Sequence, residues 1–308
     1  MDWKGRRTST NVEDQRGRSV KGIVGDGISI VSVVVVIIFA LLGGDPTQIL
    51  NNVLPAGTEI DSSYTASAEE EELAQFVSVV LAETEDIWTE QFRLEGESYI
   101  NPKLVLYTGS VESACGLSGS ATGPFYCPGD SKVYIDLNFF KELRDQFKAP
   151  GDFAMAYVIA HEVGHHVQNL LGITDEVMSL QTKLSENEFN EYLVKLELQA
   201  DYLAGVWAHY ADRINLLEAG DLEEALNAAT AIGDDRIQQN TQGYIVPESF
   251  THGTSEQRRR WFLKGYTSGS MTGGDTFNAT TLQVAQKFRV ILSLDWSMWA
   301  VEATLFRR

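Results

Sequence analysis

Apolar residues recur at helical spacing along most of this chain. The pattern predicts a helix from about residue 67 to 92, which starts with four consecutive glutamates, Glu69 to Glu72. Carboxylates at that end stabilise the positive pole of the helix dipole. Two shorter stretches, 103–108 and 132–139, alternate or run apolar as β-strands do.

The most apolar helical segment is predicted over residues 153–171, with Asp152 as its N-cap and Gly172 as its C-terminal stop. Apolar residues lie on most of its sides, so this helix is expected to be buried. A second long helix is predicted over 186–210 after a Ser185 cap, and shorter ones over 175–184, 221–239 and 254–266. The expected fold class is therefore α+β, mostly helical with a small β-sheet.

Residues 23–43 are mostly apolar and rich in Val and Ile, which predicts one N-terminal transmembrane helix ahead of this fold. A cleaved signal peptide is the rival interpretation. The charged leader is long and no small-x-small cleavage site follows, which favours an uncleaved anchor. The expected organisation is a basic leader 1–22, the span 23–43, a linker 44–68, a main domain 69–277 and an extension 278–308 of unknown role.

The leader carries six basic against three acidic residues, although the whole chain has a net charge of −19. Basic flanks stay in the cytoplasm, so the main domain is predicted to be extracytoplasmic on a single-pass cell-membrane protein. The span makes the lipid bilayer an expected partner. The strongly acidic remainder repels polyanions, which excludes nucleic acid as a partner.

Cys115 and Cys127 are the two cysteines of the chain. In an oxidising compartment they are expected to form a disulfide, whose loop closure stabilises the fold by on the order of 3 kcal/mol. A second metal site is the alternative, but no Cys-x-x-Cys motif or nearby histidine supports it.

The buried helix contains the motif His-Glu-x-x-His at residues 161–165. Side chains four apart on a helix share a face, so His161 and His165 can bind one divalent cation. Glu162 lies beside that ion and can accept a proton from a metal-bound water. The alternative is a chance match, in which these buried polar groups would cost several kcal/mol.

Glu197 and Asp201 lie one turn apart on the second long helix. A catalytic zinc ion keeps three protein ligands and one water, and Glu197 can supply the third ligand. Asp201 can accept the free N–H of a ligating histidine. Two solvated acids are the alternative, although neighbours such as Ala200 and Leu203 indicate a buried face.

With GPFYCP at 123–128, HGTSEQR at 252–258 and these two motifs, the chain resembles the bacterial putative neutral zinc metallopeptidase family, which is similar to gluzincins, over residues 1–277. The resemblance implies a zincin-like domain with one Zn²⁺. It also implies roles for the site residues: His161, His165 and Glu197 as ligands, Glu162 as general base and acid, and Asp201 as support for a ligand.

Two further candidate roles fall on a turn and a strand. His252, in a glycine-flanked turn, can donate a hydrogen bond to the oxyanion of a tetrahedral intermediate, with Arg258 and Tyr134 as competing donors. By resemblance, residues 133–136 are the candidate edge strand for extended substrate, and ordinary sheet core is the alternative. The remaining candidates, His166 and His209, are predicted to be structural or exposed.

The sequence thus predicts a membrane-anchored zinc metallopeptidase that hydrolyses peptide bonds of peptide or protein substrates. A catalytically inactive zinc-binding envelope scaffold, a closed structural zinc site and a non-peptide amidohydrolase are the alternatives. An intact Glu162 argues against the first two, because neither needs a general base.

Overall fold

The computed structural model describes residues 1–18, 64–119, 122–279 and 282. These residues form six strands and eight α-helices: β1 Val12–Asp14, α1 Ala68–Leu94, β2 Lys103–Tyr107, β3 Ser110–Ser113, β4 Gly116–Gly119, β5 Phe125–Cys127, β6 Lys132–Asp136, α2 Asn138–Asp145, α3 Asp152–Leu170, α4 Ile173–Met178, α5 Glu186–Arg213, α6 Asp221–Ala231, α7 Asp234–Gln242 and α8 Ser255–Ser268. The α+β, mostly helical character is confirmed.

The larger sheet has the strand order β1-β2-β6-β5. The first three strands are parallel, whereas β5 runs antiparallel to β6. Because β6 is paired on both sides, the prediction that residues 133–136 form an edge strand is wrong. Strand β5 covers that side and is itself the edge, and its three residues were too few for the hydrophobic pattern to reveal.

The two longest helices begin where their sequences predict. Ser67 and Glu70 form a capping box at the start of α1, and Ser185 and Glu188 form the same arrangement at the start of α5. Each box satisfies backbone N–H groups that have no partner inside the helix.

Three elements are shorter in the structure than the sequence predicts. The strand over 132–139 ends at Asp136, whose carboxylate accepts from the backbone N–H of Asn138, the first residue of α2. The helix over 221–239 is broken at Gly233, where a Cβ would lie 2.3 Å from the backbone nitrogen of Ser255. The helix over 175–184 starts at Ile173 and ends at Met178.

Helix α3 is buried along nearly its whole length, as predicted, and it starts one residue earlier, at Asp152. It crosses α5 at Gly164, where a Cβ would lie 3.0 Å from the carbonyl oxygen of Ala200. This close approach brings His161 and His165 of α3 against Glu197 and Asp201 of α5.

Helix α8 crosses the other side of α5 just as closely. A Cβ at Gly265 would lie 1.9 Å from the carbonyl oxygen of Tyr202, so only glycine fits there. The crossing places Arg258, near the start of α8, in hydrogen-bond contact with Asp201 of α5.

The N-terminal residues belong to this domain. Strand β1 pairs with β2, and Arg7 forms ion pairs with Glu85 and Asp86 of α1. No helix among the described residues is long and apolar enough to cross a membrane, and the predicted span 23–43 lies outside them. The fold-class prediction is corrected accordingly: the described chain is an α+β domain that includes residues 1–18, without the transmembrane helix. The extension after residue 279 is also outside the described part, apart from Leu282.

Candidate metal centre

Two histidines and one glutamate converge where α3 crosses α5. The carboxylate of Glu197 lies between both imidazoles, with Oε2 at 3.2 Å from Nε2 of His161 and Oε1 at 3.4 Å from Nε2 of His165. One donor atom from each of the three residues lies within 4.8 Å of the donor atoms of the other two. The three residues named as ligands in the sequence are therefore brought together.

The spacing of the donor atoms fits a zinc ion. Zinc binds imidazole nitrogen and carboxylate oxygen at about 2.0–2.2 Å in tetrahedral geometry, which separates neighbouring donors by about 3.3–3.5 Å. The two oxygens of Glu197 lie 3.2 and 3.4 Å from the two imidazole nitrogens, one oxygen to each ring, which is near that separation. Two nitrogens and one oxygen are also a donor set that catalytic zinc prefers.

A buried ion pair between Asp201 and Arg258 orients His161. Its Nδ1 lies 2.9 Å from Oδ1 of Asp201, and Arg258 donates to both oxygens of that carboxylate, at 2.9 and 3.0 Å. Tyr157 donates a further hydrogen bond to Asp201. Burial raises the pKa of Asp201, but Arg258 and His161 outweigh it and hold that pKa below its usual value. The carboxylate is therefore ionised and fixes the ring with Nε2 towards Glu197.

Without a metal ion, His161 itself carries the positive charge. Burial lowers its pKa, but Asp201 and Glu197 outweigh the burial and raise the pKa to about 10. The pKa of Glu197 is held well below its usual value: burial raises it, and the charges of His165 and His252 lower it more. A metal ion that binds here must displace the proton of His161.

His165 is oriented by a residue that the sequence analysis missed. Its Nδ1 lies 2.8 Å from Oε1 of Gln168, which is fully buried on the same helix. The signal was present, because a glutamine three residues after His165 shares its face of an otherwise apolar helix.

Glu162 is the most exceptional carboxylate of the site. The residue is 8 % exposed overall, and among the described residues its carboxylate has no hydrogen-bond or ion-pair partner. The carboxylate oxygens themselves reach the surface, so water or a substrate can approach them. It follows His161 on α3, so its acceptor capacity is available beside the metal position.

His252 lies in a turn that hydrogen-bonds to Asp234, the first residue of α7. Oδ2 of Asp234 accepts the backbone N–H groups of Thr251, His252 and Gly253 at 2.7 to 3.0 Å, and Oδ1 lies 3.3 Å from Nδ1 of His252. The ring is about a third exposed, and Nε2 has no partner within the described chain. Burial lowers the pKa of His252, but Glu197 and Asp234 raise it overall.

The same turn packs directly over the ligand-bearing helix. A Cβ at Gly253 would lie 3.2 Å from Val194 and 3.3 Å from Leu198, the residues that flank Glu197 on α5. The competing donors are engaged elsewhere: Arg258 is buried against Asp201, and the hydroxyl of Tyr134 donates to Asp130. Among the three candidates, His252 alone keeps a free polar atom near the site.

His166 connects helix α3 to strand β5 at the edge of the sheet. It is fully buried, with Nδ1 at 3.0 Å from the hydroxyl of Tyr126 in β5 and Nε2 at 2.6 Å from the carbonyl oxygen of Ile100. His209 contacts the carbonyl oxygen of Tyr266, away from the centre. Both side chains hydrogen-bond within the fold, which agrees with the structural half of the prediction that they are structural or exposed.

The predicted disulfide is present, with 2.01 Å between the sulfurs of Cys115 and Cys127. It ties the turn between β3 and β4 to the last residue of β5. The edge strand is therefore fixed at both faces, by the disulfide and by the contact of Tyr126 with His166.

The model of a family described as "Putative neutral zinc metallopeptidase" matches residues 1–277. The chain is 49 % identical to "Uncharacterized protein YpfJ" of Escherichia coli strain K12, over 90 % of this chain and 99 % of that protein. It is 44 % identical to "Uncharacterized protein Rv2575" of Mycobacterium tuberculosis strain H37Rv, over 60 % of this chain and 65 % of that protein. No solved structure matches the chain.

Proposed function

We propose a function from one premise: this chain belongs to the putative neutral zinc metallopeptidase family. The family assigns zinc and peptidase chemistry in general terms. Our proposal for this chain is hydrolysis of peptide bonds in peptide or protein substrates at the site formed by α3 and α5. The observation that carries it is the convergence of His161, His165 and Glu197, with Glu162 directly after His161 on α3 and its carboxylate free of hydrogen-bond partners among the described residues.

His161, His165 and Glu197 would hold the ion, and Asp201 and Gln168 would orient the two imidazoles. A zinc ion there supplies Lewis acidity, which polarises a scissile carbonyl and lowers the pKa of a bound water towards about 7. The remaining steps belong to side chains of this protein.

Glu162 takes the proton from the attacking water, because its oxygens have no competing donor in the described protein. It then passes that proton to the nitrogen of the leaving amine. In its protonated form His252 donates from Nδ1 to Asp234 and from Nε2 to the developing oxyanion. Burial lowers the pKa of His252, but Glu197 and Asp234 raise it overall, which favours this form.

Strand β5 is our proposal for the strand that binds extended substrate. The edge of β5 that no described strand pairs with offers backbone N–H and C=O groups to an extended peptide. Its position relative to α3 is set by Tyr126, whose hydroxyl contacts both His166 and Asn169.

Metal analysis of the purified protein, combined with digestion of a peptide library, tests this function. We expect about one zinc per chain and cleavage that a chelator abolishes and zinc restores. Glu197→Ala should contain much less zinc, because two imidazoles alone bind weakly. Zinc without cleavage of any peptide would instead favour the inactive scaffold, and cleavage of small non-peptide amides alone would favour an amidohydrolase.

A further inference from the structure

Gln168 is the only direct hydrogen-bond partner of Nδ1 of His165 within the described residues. Its amide nitrogen donates to the carbonyl oxygen of Leu196 at 2.7 Å and to Oε1 of Gln199 at 3.0 Å. The side chain is fully buried, so no water competes for these bonds. Every polar atom of this amide is therefore assigned to a partner.

These contacts fix which way the amide points. If the oxygen and nitrogen of Gln168 exchanged places, its oxygen would face two other acceptors, the carbonyl of Leu196 and Oε1 of Gln199. The oxygen must therefore face His165, where it can only accept. Nδ1 of His165 therefore carries a hydrogen, and Nε2 is the ring nitrogen directed towards Glu197.

The arrangement continues to the C-terminal part of the described chain. Nε2 of Gln199 donates to the carbonyl oxygen of Gly274 at 3.1 Å. Gly274 lies against the ring of Tyr202, where a Cβ would come within 2.4 Å, and Thr276 donates to the carbonyl oxygen of Lys195. The segment around 274–276 is thus fastened to α5 on both sides of Gln199 and holds its amide in place.

We propose that Gln168, oriented by Gln199 and the carbonyl of Gly274, is a positioning residue that sets the tautomer and direction of His165 for metal binding. This inference rests on the proposed metal centre. It makes the two imidazoles unequal: His161 is backed by the carboxylate of Asp201, whereas His165 is backed by a neutral amide. Zinc affinity then depends on a residue that never touches the ion.

Zinc affinity of the purified protein, measured by competition with a chromogenic chelator, tests the proposal. Gln168→Leu removes the acceptor and should weaken zinc binding about 10–100-fold. Gln168→Glu keeps an acceptor oxygen towards His165 but loses both donated hydrogen bonds, and it should bind zinc within about threefold of the wild type or more tightly. A residue needed only for packing would give the opposite order, because leucine preserves an apolar interior better than a carboxylate does.

Gln238→Leu is the matched control. Gln238 is also a buried helical glutamine that donates and accepts one hydrogen bond, with Ser249 and Val246, but it contacts no ligand of the ion. It should lower thermal stability and leave zinc affinity unchanged.

The outcomes separate this proposal from the proposed function. A wild-type protein that binds no zinc contradicts the metal centre itself. Wild-type zinc binding with an unchanged affinity in Gln168→Leu overturns the positioning role. If Gln168→Leu does not fold, Gln168→Glu decides: affinity more than tenfold below the wild type overturns the role, and retained affinity supports it.

Discussion

Arg258 donates two hydrogen bonds to Asp201, of 2.9 Å from Nε and 3.0 Å from Nη2, in the interior between α5 and α8. Both side chains are at most 3 % exposed. Arg258→Leu would leave the charge of Asp201 buried without its main partner, which costs about 3–5 kcal/mol. Chemical denaturation measures that loss, and a variant as stable as the wild type would contradict the ionic role. Arg93→Leu, in an exposed pair with Glu90, should change stability little.

Glu162→Gln should retain zinc and lose hydrolysis. The amide fills the same space but cannot take a proton from water, so we expect kcat to fall about 10²–10⁴-fold. Metal content and the rate of peptide cleavage are the two measurements. Glu191→Gln on the exposed face of α5 is the matched control and should behave as the wild type does. Activity of Glu162→Gln near the wild-type level would remove this residue from the mechanism.

His252→Ala should also keep its zinc, because His252 is not among the convergent ligands. The loss of one oxyanion donor is expected to lower kcat about 10²–10³-fold with a smaller change in KM. Steady-state kinetics on a fluorogenic peptide separates the two constants. His209→Ala, a histidine outside the site, serves as the comparison. An unchanged kcat would reassign oxyanion stabilisation to another group.

The effect of zinc on stability should increase with pH. In the zinc-free protein, the pKa of His161 is about 10 when folded against 6.5 as its ordinary value, despite the burial that lowers it. Its ion pairs with Asp201 and Glu197 therefore stabilise the fold fully below about pH 6.5, and that contribution is lost as the pH rises towards 10. Zinc must displace the same proton, so zinc binding becomes stronger over this range.

Thermal unfolding in chelator and in zinc at pH 6.5 and pH 9 checks this prediction. The difference in Tm between the two forms should be larger at pH 9. A difference that is constant or smaller at pH 9 would show that His161 is not a buried cation in the zinc-free protein.

Local sequence signals predicted the helices that carry the site. The starts of α1 and α5 follow from Ser67 and Ser185, because a capping box is encoded within four residues. The convergence of His161, His165 and Glu197 was predictable from helical periodicity and from the ligand count of catalytic zinc.

Features that depend on tertiary contacts were not predictable in the same way. The edge position of β5 depends on its pairing with β6, and the break at Gly233 depends on the close backbone of Ser255. Helical spacing places Gln168 on the face of His165, but the direction of its amide depends on Leu196 and Gln199 of another helix. Such features depend on contacts between distant segments, and a local sequence pattern does not predict those contacts.

Strand β1 fixes the N-terminal residues in the sheet of the main domain. Residues 1–18 and the chain from 64 onward are parts of one folded unit, joined by the parallel ladder between β1 and β2 and by the ion pairs of Arg7. A topology that placed these two portions on opposite faces of a bilayer would have to pull β1 out of the sheet. An impermeant amine-labelling reagent applied to intact cells should consequently modify the exposed Lys4 and the exposed Lys148 together, or neither of them.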